Sequence, residues 1–193
     1  SVLNYGDIST ISFHATKLFH TIEGGAVITN DDELARKIRL LINFGISSPT
    51  TIESVGINAK MNEMEAAMGL CVLDDIDVIK QSRTSIWQTY REGLAGLVDF
   101  QKWNKDSRNN HAYAPVLFES EKQLLEVESK LKANEVYPRR YFYPSLNALT
   151  YLPESFECHI SNDIAKHILC LPMYVDLGSL EQKRIINLVR ESL

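Results

Sequence analysis

One helical run constrains this chain more than any other feature. Met61, Met64, Met68, Cys71 or Val72, Ile76, Ile79, Ile86, Tyr90 and Leu94 recur at helical spacing. Asn62 with Glu65 three residues on is the signature of a capped start, and Gly93 and Gly96 mark the end. The run either continues unbroken to Leu94 or breaks near Asp74-Asp75. Strand-like segments lie on both sides of it, so the chain reads as an α/β protein with a long helix between two domains. The expected division is 1–96 and 97–193.

Before the helix, "TISFHA" (10–15) alternates and "GAVITN" (25–30) is a short β-branched run; both read as strands. "TIEGG" supplies the turn glycines between them. Asn30 or Asp31 then caps a helix reaching about Asn43, with Leu34, Ile38, Leu41 and Ile42 on one face and Gly45 as its stop. Residues 46–60 form a polar loop with Pro49 and Gly56, long enough to suggest a function. After the long helix, "HAYAPVLF" reads as a strand. "SEKQLLEVESKLKAN" reads as a helix capped by Ser120, with Leu124, Leu125, Val127 and Leu131 apolar. "IAKHILCLPMY" reads as a helix end and a short strand before Pro172, and Ser179 as the cap of a last amphipathic helix.

Composition excludes several classes. A net charge of −5 and a pI near 5.6 make nucleic acid an unexpected partner, since phosphate binding needs a basic field. Cys71, Cys158 and Cys170 are widely spaced and include no C-x-x-C pair, so neither a disulfide framework nor a structural zinc site is expected. The five histidines lack ligand spacing, and no metal is expected. No apolar run is long enough to span a bilayer and no signal peptide is visible, which points to the cytoplasm.

Three stretches could carry chemistry. Lys17 sits just past a strand-like run and before Gly24-Gly25; a positioned lysine can form a Schiff base with a carbonyl cofactor. Spacing alone fits an ordinary surface amine better. "VGINAKMNEMEAAMGL" places Gly56 and Asn58 just before a helix N-terminus, where free N–H groups favour an anion, although a plain loop-to-helix junction accounts for the pattern more simply. "VYPRRYFYPSLN" sets two arginines among tyrosines, suited to phosphate pairing and stacking; a strand edge with solvated arginines explains it equally well.

Taken together, "SFHATK", "EGGAVITNDDELARKIRLLINFG" and "GINAKMNEMEAAMGL", in this order and spacing, closely resemble the DegT/DnrJ/EryC1/StrS family. "YPRRYFYPSLN" and "CLPMYVDL" resemble its C-terminal segments, so the likeness spans essentially the whole chain. The resemblance implies the aspartate aminotransferase-like fold of pyridoxal 5′-phosphate enzymes: the last part of the large domain, then the small α/β domain. It implies transfer of an amino group, with glutamate as donor, to a nucleotide-linked keto-deoxysugar, in wording closest to enzymes of dTDP-keto-6-deoxyhexoses.

By the same resemblance, Lys17 matches the lysine of the internal aldimine and Ser12 a serine that binds the cofactor phosphate. Asn58 matches an asparagine that reaches the phosphate of the neighbouring subunit, implying a homodimer with shared sites. Lys60 stands where many relatives carry arginine. Arg139, Arg140, Tyr141 and Tyr143 fall in the segment that helps hold the nucleotide-sugar, and Ser145 departs from the histidine of many relatives. Histidine replaces the lysine in related sugar dehydratases, so Lys17 favours transamination. Relatives also carry an acid for the pyridine nitrogen upstream of the lysine motif. The chain therefore reads as the C-terminal part of a longer enzyme, expected to be inactive alone. The alternative is a non-catalytic module for nucleotide-sugar binding or dimerisation.

Overall fold

The computed structural model describes residues 2–152 and 157–193. The chain divides into two compact units, Ser1–Asp77 and Val78–Leu193.

In the first unit, β1 (Ser9–Ser12) and β2 (Gly25–Ile28) pair antiparallel, with Ser9 opposite Ile28 and Ser12 opposite Gly25. A side chain at Gly25 would meet the Ile11 carbonyl oxygen at 2.7 Å, so this pairing needs a glycine. Helix α1 (Asp32–Leu41) starts at Asp31, whose carboxylate accepts from the Glu33 and Leu34 N–H groups. Residues 46–60 are less irregular than the sequence suggests. They contain a small hairpin of β3 (Ile46–Ser48) and β4 (Thr51–Ile52). The long helical run is broken. Helix α2 (Glu63–Asp74) opens on the expected capping box between Asn62 and Glu65 and ends at Asp75, and α3 (Ile76–Gly93) follows.

The second unit holds an antiparallel sheet in the order β5 (Asp99–Phe100), β6 (Ala114–Leu117), β7 (Ile168–Leu171). The unit also holds most of α3, with α4 (Glu121–Ala133), α5 (His159–His167) and α6 (Ser179–Arg190). Its core joins Ile86, Trp87, Tyr90 and Leu94 of the α3 segment to Val116, Leu124, Val127, Leu131, Leu169, Ile185 and Val189. The second unit begins at Val78, and the C-terminal half of α3 packs into this core through Ile86, Trp87 and Tyr90. Ser120 caps α4 as expected, but Leu125 is exposed, since positions 124, 127 and 131 already fill the buried stripe. The last helix departs from expectation at its start: Gly178 is the cap, and Ser179 is its first residue. Among the described residues, no helix is long and apolar enough to cross a membrane.

Candidate functional site

Lys17 lies on the loop that joins β1 to β2. The loop is closed at its base by Phe13, whose N–H donates to the Gly24 carbonyl at 2.9 Å and whose carbonyl accepts from the Thr21 N–H at 2.9 Å. Thr21 is buried, and its hydroxyl donates to the Glu23 carbonyl. A tight turn within this frame carries the lysine: the Lys17 N–H donates to the His14 carbonyl at 2.9 Å. The Lys17 side chain is exposed, and its amine has no hydrogen-bond or ion-pair partner among the described residues. Ser12 ends β1, exposed, with its Oγ accepting the His14 N–H at 3.3 Å. That bond occupies a lone pair and leaves the hydroxyl proton for an anion.

Asn58 and Lys60 form a second group in the same unit. Asn43 and Asn58 form an isolated antiparallel bridge, with the Ala59 N–H on the Ile42 carbonyl and the Phe44 N–H on the Ile57 carbonyl. Lys60 Nζ donates to Asn58 Oδ1 at 2.9 Å and lies 4.4 Å from the centre of the Phe44 ring. With its oxygen engaged, the Asn58 amide has its N–H groups to offer an anion. Lys60 thus places a cation beside Asn58 while holding the amide in one orientation. Phe44 was not legible as part of this group: it adopts a left-handed backbone, φ 56°, which nothing in the sequence announces.

The four aromatic and basic residues of the second unit separate into two pairs. Arg139 is exposed; its backbone exchanges two hydrogen bonds with Cys170, at 3.0 and 2.8 Å. Its guanidinium donates to the Tyr141 hydroxyl, and Tyr141 meets Tyr113 edge-on with centroids 5.5 Å apart. Burial pushes the Cys170 thiol up to about 11, so it stays protonated and inert in this position. Arg140 is half-buried and already engaged. Its Nη2 bonds Glu121 Oε1 at 2.7 Å, and its Cζ stacks 3.7 Å from the Tyr143 ring centre. Ser145 is buried, with its Oγ 2.6 Å from both Asn147 Oδ1 and Ser161 Oγ. It ties this segment to α5 instead of facing a ligand.

Glu121 is the partner that sequence reading missed. Hydrogen bonding to Arg140 holds its carboxyl below the ordinary value of 4.5. A depressed carboxylate stabilises the fold above that ordinary value, and the contribution is lost as pH falls through the lowered one. Glu121→Gln should therefore melt lower than the parent chain at neutral pH, and the two should converge well below pH 4.5. Thermal melts across pH measure this; a difference that stays constant down to the acid limit would refute the assignment.

Comparison with known proteins adds an independent line. The DegT/DnrJ/EryC1/StrS aminotransferase family model matches residues 1–190. A dTDP-4-amino-4,6-dideoxy-D-glucose transaminase of Shigella dysenteriae is 38% identical over 198 residues, covering 99% of this chain and 54% of that protein. One of the same name from Escherichia coli is 34% identical over 169 residues, covering 81% and 44%. The crystal structure of DesI in the presence of its TDP-sugar product is 35% identical and superposes with a TM-score of 0.84, covering 96% of this chain and 49% of that one. The chain spans about half the length of the curated relatives it matches.

Proposed function

The chain belongs to the DegT/DnrJ/EryC1/StrS aminotransferase family, and from that premise we propose that it forms the C-terminal part of a pyridoxal-phosphate-dependent aminotransferase. Its substrate is a dTDP-linked 4-keto-6-deoxyhexose, with glutamate as donor. Two named relatives, at 38% and 34% identity, are transaminases of a dTDP-4-amino sugar, which supports this substrate class. The observation that carries the reading is the exposed amine of Lys17, without a partner among the described residues, on a turn fixed by backbone bonds, with the Ser12 hydroxyl at its start.

The donors present suit the cofactor. Ser12 offers a hydroxyl proton to a phosphate, and Asn58, oriented by Lys60, offers amide N–H groups to the phosphate held by a neighbouring subunit. Pyridoxal phosphate, when bound, supplies a reactive carbonyl and an electron-accepting ring. Lys17 has the one group in this loop that can link to that carbonyl, and its Nζ can take a proton from the amino donor and return one to the product carbon. Arg139 and Tyr141 give a guanidinium and a ring for a diphosphate and its base, while Arg140 and Tyr143 hold the segment in place.

The group that pairs with the pyridine nitrogen in relatives is not assigned to any residue of this chain. We therefore expect the 193 residues alone to give essentially no product from glutamate and the keto-sugar. Incubation with pyridoxal phosphate and borohydride should still leave a stable mass gain on Lys17. Turnover at a full-length relative's rate would contradict the first expectation. Absence of the mass gain would favour a non-catalytic binding or dimerisation module.

A further inference from the structure

His14 stands three residues before Lys17, and the reaction outlined above gives it no task. Its ring is nevertheless specified from both sides. Thr16 meets His14 Nδ1 twice: its backbone N–H donates at 3.2 Å, and its hydroxyl oxygen lies 2.9 Å away. A backbone N–H can only donate, so Nδ1 must be an unprotonated acceptor. In a neutral imidazole the hydrogen then sits on Nε2, and Nε2 lies 3.5 Å from Glu23 Oε1. The neutral tautomer with Nε2–H is the form in which every one of these contacts is satisfied.

The geometry is the histidine counterpart of an Asx turn, a side-chain acceptor bonding the N–H two residues on. It encloses the turn closed by the Lys17 N–H on the His14 carbonyl at 2.9 Å. His14 thus restrains the turn through its backbone carbonyl and its ring together. The Glu23 contact reaches across to the residue before Gly24 and so joins the two ends of the loop. Both side chains are well exposed, so that contact contributes little energy. The weight falls on Nδ1. His20 makes only a longer version, with the Ile22 N–H 3.4 Å from its Nδ1 and no second donor.

We infer that His14 is a positioning residue for Lys17: a neutral Nε2–H imidazole that caps Thr16 and fixes the turn presenting the amine. The inference rests on the proposed role of Lys17, but its structural half stands independently of any cofactor.

The test uses the 193-residue chain, labelled with nitrogen-15 and held near pH 8, above the ordinary imidazole range of about 6.5. Long-range proton–nitrogen spectra should report His14 with hydrogen on Nε2, its signals identified by their loss in His14→Asn. Amide exchange of Thr16 should quicken about tenfold in His14→Ala, the equivalent of one modest hydrogen bond. His14→Asn should restore it to within about threefold, because an asparagine oxygen makes the same bond. Glu23→Gln should leave Thr16 protected. The rate of borohydride trapping of pyridoxal phosphate on Lys17 should follow the same order: parent chain and His14→Asn together, His14→Ala about tenfold slower.

An Nδ1–H tautomer, a rapidly exchanging mixture, or a His14→Asn chain as labile as His14→Ala would overturn the inference. If His14→Ala does not fold, the tautomer and the asparagine variant decide it. If the parent chain traps nothing on Lys17, the cofactor reading fails by itself, and the tautomer and exchange results still judge His14.

Discussion

On the role proposed for Lys17, Lys17→Ala should remove the borohydride-stable pyridoxal phosphate adduct completely and lower turnover of the full-length enzyme by about ten-thousand-fold. Two losses combine: the amine that links to the cofactor, and a proton carrier at the substrate carbon, the latter alone accounting for about 10² to 10⁴. No other residue of the 13–24 loop can substitute, because the loop contains no second lysine. Lys17→Arg should be as inactive as alanine. A guanidinium keeps the charge but stays protonated far above neutral pH, so it can neither attack a carbonyl nor shuttle a proton. Melting temperature should barely move in either variant, since the side chain is exposed and has no partner among the described residues. Mass spectrometry of the trapped chain and a coupled glutamate assay on the full-length enzyme measure the two effects. An alanine variant that still forms the adduct would place the reactive amine elsewhere.

Local rules carried much of the fold, and their limits explain what they missed. The break at Asp75 stays open in the sequence, which also allows an unbroken run to Leu94, whereas the Asn62–Glu65 capping box is decided within one helical turn, so residue identity is enough to find it. The strand at Ile168–Leu171 was legible for the same reason: an apolar run stops at Pro172. The start of α6 was not, because glycine and serine are both acceptable caps and the choice rests on the backbone. The site behaves alike. Lys17, Ser12 and Asn58 are named from motif likeness, and Lys60 stands only two residues from Asn58, yet nothing local tells that Arg140 is committed to Glu121, nineteen positions earlier. Such pairings depend on which elements the fold brings together. His14 is the intermediate case. Its partner is two residues away, but a histidine in this role is uncommon enough that the spacing gives no signal.

Arg83→Met should cost the second unit about 3–5 kcal/mol. Arg83 donates from all three guanidinium nitrogens to backbone carbonyls: Nε to His111 at 2.8 Å, Nη1 to Met173 at 3.0 Å and Nη2 to Ala112 at 2.5 Å. Charged-group bonds of this kind contribute about 1.5–3 kcal/mol each, and sharing one side chain keeps the total below the sum. Partial burial lowers the guanidinium pKa from its usual value, but the group stays charged at any pH the fold survives. Methionine matches the stem and leaves three carbonyls short of a donor. For a domain of this size the melting temperature should fall by about 15 °C. Lysine should recover less than half, since one ammonium cannot span three acceptors set around a planar fork. The consequence reaches the proposed nucleotide contacts. His111 and Ala112 lead directly to Tyr113, which braces Tyr141 edge-on, and Tyr141 receives Arg139. On the proposed nucleotide role, at temperatures where the variant is still folded, affinity for thymidine diphosphate should therefore drop further than for Glu121→Gln. An Arg83→Met chain melting within a few degrees of the parent would show that water replaces the guanidinium at these carbonyls.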